Sequence, residues 1–270
     1  MKIALVQMFC KWGDVKANLL RSEAFIRRAK IRDAEFVLFP ELSVPGMWKD
    51  HLIRLNAEPL NGPIVQAMSR LARKYRIALA FGFAEKTKGK PLNCQALVDS
   101  RGRLVGAYRK NYIPNMERDY FSGDERRPVF SICGLKAAFA ICYDSCQAEL
   151  LESYGKKCVN LVMMPHAWDA DPILKGSRNE SWRNMEEAVA AYAQGKVIGH
   201  RTHDEMLERF TRRVRPHAVK NGFYAAFVSQ SGVPHPLTPM VGPSFVMDPA
   251  GNVIARTKNG KEQIVIAEIT

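Results

Sequence analysis

The sequence lacks several features that would place it in a special class of protein. No window holds the roughly 18 consecutive apolar residues that a membrane helix requires, and the apolar stretch IALVQMF near the start is too short and has no cleavage site. Six cysteines in 270 residues are too few for a disulfide scaffold, and none forms the C-x-x-C pair of a zinc site. We therefore expect a soluble, cytoplasmic protein with reduced thiols.

Acidic residues are also scarce, with 27 Asp and Glu against 40 Lys and Arg, which gives a formal charge of +13. A basic surface attracts anions, so the charge raises the question of a nucleic-acid partner. The basic residues are spread over most of the chain, however, and no RNA- or DNA-binding signature interleaves aromatic residues with them. The charge favours a solvated basic surface over a nucleic-acid or membrane partner.

No repeat, low-complexity tract or linker divides the chain, so residues 1–270 are interpreted as a single domain. Helical periodicity is found in Asn18–Lys30 and in GPIVQAMSRLARKY, where a proline marks the helix start. Continuous apolar stretches predict strands between the helices: KIALVQM, EFVLFPE, IALAFGF, LKAAFAI, VNLVMMP, FYAAFVSQ and QIVIAEI. This alternation indicates an α/β protein with helices covering its sheets.

A long helical pattern runs from about Ser177 to Val219, and it predicts an insertion in the domain at about 170–214. Two interpretations stay open, a lid or specificity element and a dimerisation helix pair, because an amphipathic surface helix serves either. Trp168, just before the segment, is a candidate for the substrate entrance, as are three residues within it: Asn179, Glu180 and Trp182.

Three reactive residues stand where apolar strands end: Glu41 after FVLFP, Lys110 after GAYR and Cys142 after AFAI. Strand ends are where sites assemble in α/β sheets, because the sheet holds the side chains while the loops leave room for a ligand. Cys142 also precedes a short predicted helix, and a helix N-terminus favours thiolate over thiol. His166 follows LVMMP and is the one histidine in a similar position.

Together these residue types permit nucleophilic attack on an electrophilic carbon. Glu41 would accept the thiol proton, and Lys110 would stabilise the negative charge that develops on the substrate, with the backbone N–H of Tyr143 as a second donor. Each residue alone has a plainer interpretation: a core cysteine, a helix-capping glutamate and a surface lysine. Only the combination indicates catalysis.

Three stretches in this order, FPELSVPG, YRKNYIPNMERDYFSGD and AICYDSCQAEL, resemble the signature blocks of the nitrilase superfamily, the carbon-nitrogen hydrolases. The likeness extends to KIALVQM, VNLVMMPHAW, NGFYAAFVSQSG and GPSFVMDPAGNVIA, and it covers most of the chain other than the long helical segment. The sequence departs from the family where HAVKNGFY places His217 and Lys220 at positions usually held by Arg and Glu.

The resemblance implies a four-layer αββα sandwich and a catalytic triad at Glu41, Lys110 and Cys142. It implies that Glu117 orients the lysine and the substrate, and it implies a homodimer or larger assembly. Neither a metal nor an organic cofactor is implied. The expected substrates are small amides, N-carbamoyl compounds or nitriles.

The leading hypothesis is therefore a thiol hydrolase that cleaves a linear amide or N-carbamoyl compound and releases ammonia or an amine. Two alternatives stay open, a nitrilase that converts a nitrile to an acid, and a non-catalytic protein that binds anions or nucleic acid on the same fold. Turnover of nitriles would distinguish the first alternative, and salt-dependent binding would distinguish the second.

Overall fold

The computed structural model describes residues 1–46, 52–168, 172–174, 190–191, 193–233 and 239–270. The described strands are β1 (Lys2–Gln7), β2 (Phe36–Leu38), β3 (Ala78–Glu85), β4 (Leu92–Val98), β5 (Leu104–Arg109), β6 (Phe130–Ile132), β7 (Leu135–Phe139), β8 (Leu161–His166), β9 (Pro172–Leu174), β10 (Val197–His200), β11 (Tyr224–Ser229), β12 (Ser231–Gly232), β13 (Met240–Val241), β14 (Phe245–Met247), β15 (Val253–Arg256) and β16 (Gln263–Glu268). The described helices are α1 (Val15–Ile31), α2 (Leu52–Leu55), α3 (Pro63–Tyr75), α4 (Ala148–Lys156) and α5 (His203–Asn221), with 3₁₀ helices at Asn115–Glu117 and Cys142–Cys146.

Two six-stranded sheets form the centre of the molecule. The first sheet has the order β16-β1-β2-β3-β4-β5, and the second has the order β15-β14-β11-β8-β7-β6. Apolar clusters separate the layers: the first joins α1 and α3 to the first sheet, the second lies between the sheets, and the third joins the second sheet to α4 and α5. Along β1, Ala4 and Val6 face the helices whereas Ile3 and Leu5 face the other sheet. The predicted αββα sandwich is confirmed.

Strand directions bring the predicted site residues to neighbouring edges of the two sheets. β2 and β3 are parallel, and β4 is antiparallel to both β3 and β5. β5 therefore runs in the same direction as β2. Glu41 follows β2 and Lys110 directly follows β5, so both lie at the same edge of the first sheet. In the second sheet, β7 and β8 are parallel, and Cys142 and His166 lie at their carboxyl ends.

The long helical pattern predicted from Ser177 differs from the structure in its second half. Val197–His200 is a strand that pairs antiparallel with Pro172–Leu174, and α5 begins only at His203. The prediction was wrong there because β-branched residues and a glycine disfavour helix, while Thr202 and Glu205 form a capping box that starts α5. Residues 175–189, and with them Asn179, Glu180 and Trp182, lie outside the described residues, and the insertion at about 170–214 stays a prediction.

Candidate active site

The Glu41 carboxylate is buried at the junction of the two sheets. Its Oε1 accepts hydrogen bonds from Asn93 Nδ2 at 2.7 Å and Lys110 Nζ at 2.8 Å, both on the first sheet. Its Oε2 accepts from the backbone N–H of Ala167, which follows β8 of the second sheet, at 2.8 Å. Burial opposes ionisation, but the neighbouring Lys110 ammonium holds the pKa of Glu41 below its usual value. Glu41 is therefore an ionised carboxylate, fixed from both sides.

A glycine makes room for the Glu41 loop. A Cβ placed on Gly82 of β3 would lie 2.2 Å from the backbone N of Leu42, so the strand and the loop can approach this closely only with glycine there. The approach is held by Val44 N, which donates to the carbonyl of Gly82, and by Gly82 N, which donates to Ser43 Oγ.

Lys110 is fully buried between two carboxylates. Its Nζ lies 2.8 Å from Glu41 Oε1 and 2.8 Å from Glu117 Oε2, and Glu117 is itself 4 % exposed at the end of a 3₁₀ helix. Burial acts to lower the pKa of Lys110, but the Glu117 and Glu41 carboxylates outweigh it and raise this pKa well above its ordinary value. A buried lysine held in this way is a permanent positive charge.

Cys142 begins a 3₁₀ turn directly after the apolar end of β7, and only 6 % of its surface is exposed. Its backbone has φ +50°, a left-handed conformation that costs a non-glycine residue about 1–2 kcal/mol. Asp144 N donates to Ile141 O and closes the turn around it. Strained turns of this kind are a known way of presenting a nucleophile at the end of a strand.

Other effects outweigh the preference for thiolate that a helix N-terminus gives to Cys142. Burial, followed by the charge of Glu41, raises the pKa of the Cys142 thiol well above its ordinary value, against the opposite effect of Lys110. A single 3₁₀ turn has too few aligned peptide groups to reverse these two effects. The resting group is therefore a thiol, and a base must remove its proton.

Tyr143 is the second residue of this turn, and Trp168 follows the end of β8 by two residues. The side chain of Tyr143 is 38 % exposed, and its N–H precedes the first hydrogen bond of the 3₁₀ helix, which starts at Asp144 N. Trp168 is half-buried, next to Ala167, with its ring edge-on to Phe210 and 5.7 Å from it. Both remain candidates for substrate contact.

His166 lies behind the Cys142 turn, with none of its surface exposed. Its ring stacks on Phe227 at 3.8 Å, Nδ1 lies 2.9 Å from Met164 O, and Nε2 lies 3.0 Å from Ser145 Oγ. Burial lowers the pKa of His166 to about 3, so the ring is neutral, and its Nδ1–H donates to the carbonyl of Met164. These contacts place His166, the histidine singled out by its strand-end position, in support of the nucleophile turn.

Sequence reasoning missed two polar residues that organise the site, Asn93 and Asp144. Asn93 and Gln95 alternate within an otherwise apolar strand, and this pattern was the one available signal for a buried polar group. Asp144 is fully buried and accepts hydrogen bonds from residues on both sides of Lys110. Within the ranges that the structure describes, no group of His, Cys, Asp and Glu could hold a metal ion, and no helix is long and apolar enough to cross a membrane.

The whole chain also matches a known family. The family model described as carbon-nitrogen hydrolase matches residues 2–270. The chain belongs to the carbon-nitrogen hydrolase family.

Individual relatives of this carbon-nitrogen hydrolase agree with the family assignment. It is 25 % identical to N-carbamoylputrescine amidase of Arabidopsis thaliana over 98 % of this chain and 85 % of the relative. A Saccharomyces cerevisiae member of branch 10 of the nitrilase superfamily superimposes with a TM-score of 0.78 at 24 % identity, over 100 % of this chain and 89 % of that one. An amidase variant from Nesterenkonia sp. with acrylamide added at its active-site cysteine superimposes with a TM-score of 0.77. It is 21 % identical, and the match covers 100 % of this chain and 93 % of that one. These two structures show the shared fold.

The neutral His166 of this carbon-nitrogen hydrolase predicts a specific acid sensitivity. Its folded pKa of about 3 lies below its ordinary value of 6.5, so its contribution to stability is complete above about pH 6.5 and is lost as the pH falls towards 3. Asp144 acts in the opposite direction, because burial raises its pKa from 3.8 to about 7 and acid then favours the folded state. The two effects partly cancel in the wild type.

Replacing His166 with glutamine removes one of the two effects. Between about pH 7.5 and 4.5 the wild type should lose about 3 kcal/mol of unfolding free energy relative to His166→Gln, since each of the two pH units below the ordinary pKa costs about 1.4 kcal/mol. Urea denaturation of both proteins at both pH values measures this. A stability difference that is the same at both pH values would contradict the neutral, buried state of His166.

Proposed function

We propose that this protein hydrolyses a non-peptide C–N bond, in a linear amide or an N-carbamoyl compound, through a covalent intermediate at Cys142. The observation that carries the proposal is the buried Lys110 ammonium, held 2.8 Å from each of two carboxylates and near enough to the buried Cys142 thiol to act on its pKa. An isolated buried charge is expensive, and this arrangement keeps a base, a cation and a nucleophile in one water-poor site.

In the first half of the reaction, Glu41 takes the proton of the Cys142 thiol as the sulfur attacks the carbonyl carbon. The raised pKa of the Cys142 thiol makes this base necessary. The carbonyl oxygen becomes an oxyanion, for which Lys110 Nζ and the N–H of Tyr143 are the available donors. Protonated Glu41 then passes its proton to the departing nitrogen, the C–N bond breaks, and a thioester to Cys142 remains.

In the second half, Glu41 is again an ionised carboxylate and removes a proton from water, whose oxygen attacks the thioester carbon. Collapse of this second tetrahedral intermediate breaks the C–S bond, and the proton on Glu41 returns to the sulfur. Glu117 takes no proton in this scheme. It balances the charge of Lys110 while Glu41 alternates between its two protonation states.

The names of several relatives support amide-type substrates, and one relative from Schizosaccharomyces pombe is named a probable nitrilase. Besides N-carbamoylputrescine amidase, the chain is similar to an (R)-stereoselective amidase of Pseudomonas sp. and to a citrullinase of Francisella tularensis, both at 28 % identity. The proposal therefore places a carbonyl carbon bonded to nitrogen next to the Cys142 sulfur.

The test is a panel of small linear amides, N-carbamoyl compounds and nitriles, followed by ammonia release and by mass spectrometry of acid-quenched protein. We expect hydrolysis of an amide or carbamoyl compound and an acyl mass on the Cys142 peptide. Conversion of nitriles alone would replace the proposal with nitrilase activity. Absence of any turnover, together with salt-sensitive binding of a nucleic acid, would replace it with the non-catalytic alternative.

We also propose that the protein is cytoplasmic and forms a homodimer or larger assembly. All six cysteines are free thiols, as expected in a reducing compartment. Val219 on α5 and Ile254 on β15, the edge strand of the second sheet, are apolar residues that are 50 % and 44 % exposed, and a second subunit would cover such surface. Light scattering decides the assembly, since one chain has a mass of 30.4 kDa.

A further inference from the structure

The buried carboxylate of Asp144 lies between the end of the strand that precedes Lys110 and the end of the strand that precedes Cys142. Its Oδ2 lies 2.7 Å from Tyr108 Oη, 3.1 Å from Ile141 N and 3.4 Å from Asn111 N, and its Oδ1 accepts from Tyr112 N at 2.8 Å. All four groups are donors. Three of them lie on Oδ2 and one on Oδ1, so both carboxylate oxygens act as acceptors.

These donors come from the two strand ends that hold the reactive groups. Tyr108 precedes Lys110 by two residues at the end of β5, and Asn111 and Tyr112 follow it directly. Ile141 directly precedes Cys142, after β7 of the other sheet. One carboxylate thus connects the loop that carries the lysine to the turn that carries the thiol.

We infer that Asp144 is a positioning residue that fixes the Lys110 ammonium relative to the Cys142 sulfur, and this role rests on the proposed function. Asp144 does not touch the reacting atoms in that scheme. It holds the backbone on either side of them, including the strained left-handed turn at Cys142. The lysine must meet an oxyanion that forms only after the sulfur attacks, so the distance between the two groups decides the rate.

Each of the four donors around Asp144 needs an acceptor atom on its side chain. In an asparagine at this position, the Nδ2 amide would face one of the donors that the carboxylate now satisfies, although the size would be unchanged. Protonation has the same effect, because a carboxylic acid donates from one oxygen. The ionisable groups that face Asp144 are Tyr108 and Lys110 from the first sheet, Tyr154 of α4, and Cys146 in its own turn.

The first test is Asp144→Asn, with Asp99→Asn as its matched control. Asp99 also accepts backbone N–H groups, from Arg101 and Arg103, but at the opposite end of β5. For Asp144→Asn we expect kcat on the best amide to fall about 100-fold, as for an ångström-scale misplacement, with KM within about threefold. Alkylation of Cys142 by iodoacetamide needs no oxyanion partner and should fall by less than about fivefold. Asp99→Asn should leave kcat and alkylation at wild-type levels.

The second test is Tyr108→Phe, which keeps the carboxylate and removes one donor. The Tyr108 hydroxyl helps to lower the pKa of Asp144, which burial raises to about 7 overall, so its loss should raise this pKa. We expect the acidic limb of the kcat profile to lie near pH 7 in the wild type and to move to higher pH in Tyr108→Phe. Tyr75→Phe, which removes a hydroxyl bonded to Glu23 on the far side of the first sheet, should not move it.

Each outcome bears on the inference. A folded Asp144→Asn with kcat within threefold of wild type would overturn it, as would alkylation that falls in proportion to kcat, because the defect would then lie in the thiol or the fold. If Asp144→Asn fails to fold, the acidic limb of Tyr108→Phe decides, and an unmoved limb overturns the inference. Wild-type protein that is inactive on every amide would overturn the proposed function, whereas active wild type with an equally active variant overturns the role of Asp144 alone.

Discussion

Cys142→Ala should lose amide turnover by about 10⁴-fold or more in kcat, because alanine has no sulfur with which to form the covalent intermediate. The protein should still fold, since the alanine Cβ fills most of the same position at the end of the turn. Initial rates of ammonia release measure the loss, and binding of a substrate amide to the inactive variant, by calorimetry, shows that the pocket survives.

Cys10→Ala is the matched control for this variant. Cys10 is also buried, and burial raises its pKa as well, but it lies in the cluster between the first sheet and its helices. Its replacement should cost some stability and leave kcat unchanged. The assignment of Cys142 would be contradicted by a Cys142→Ala protein that hydrolyses amides within tenfold of the wild-type rate.

Glu41→Gln should lower kcat by about 10³-fold, within the range that a positioned general base supplies. The glutamine keeps the size of the side chain but cannot take the thiol proton. The variant should also show a second effect of the opposite sign, because the charge of Glu41 raises the pKa of the Cys142 thiol. The pKa of Cys142 should fall, so the thiol should remain open to alkylation while turnover is lost.

Steady-state rates and the pH dependence of Cys142 alkylation separate these two effects. Glu85→Gln serves as control, because Glu85 is a partly buried carboxylate paired with Arg109, the residue next to Lys110, without belonging to the site. It should change neither quantity by more than a few fold. Turnover that survives in Glu41→Gln would show that another group takes the thiol proton.

The three reactive residues could be predicted from sequence because each follows an apolar stretch that is recognisable locally. Their supports could not, since these depend on contacts between distant parts of the chain: 36 residues separate Tyr108 from Asp144, and 52 separate Glu41 from Asn93. The resting protonation state of Cys142 could not be predicted from sequence for the same reason. Helix position was visible in the sequence, whereas burial and the charge of Glu41 arise only on folding.

The boundary between helix and strand before α5 shows a different limit. Charged residues at helical spacing continue through this region, but Val197–His200 finds a strand partner in Pro172–Leu174, and pairing outweighs the local pattern. The capping box of Thr202 and Glu205 marks the start of α5.

The Glu41 carboxylate is hydrogen-bonded to both sheets. Lys110 and Asn93 donate to one of its oxygens, and the backbone N–H that follows β8 donates to the other. If one sheet slid over the other by an ångström, the carboxylate would keep only one set of these donors. The aromatic and aliphatic side chains of the middle layer, such as Phe139 and Met163, therefore set the alignment of the base although they never meet a substrate. In this protein, the packing between the sheets is part of the catalytic apparatus.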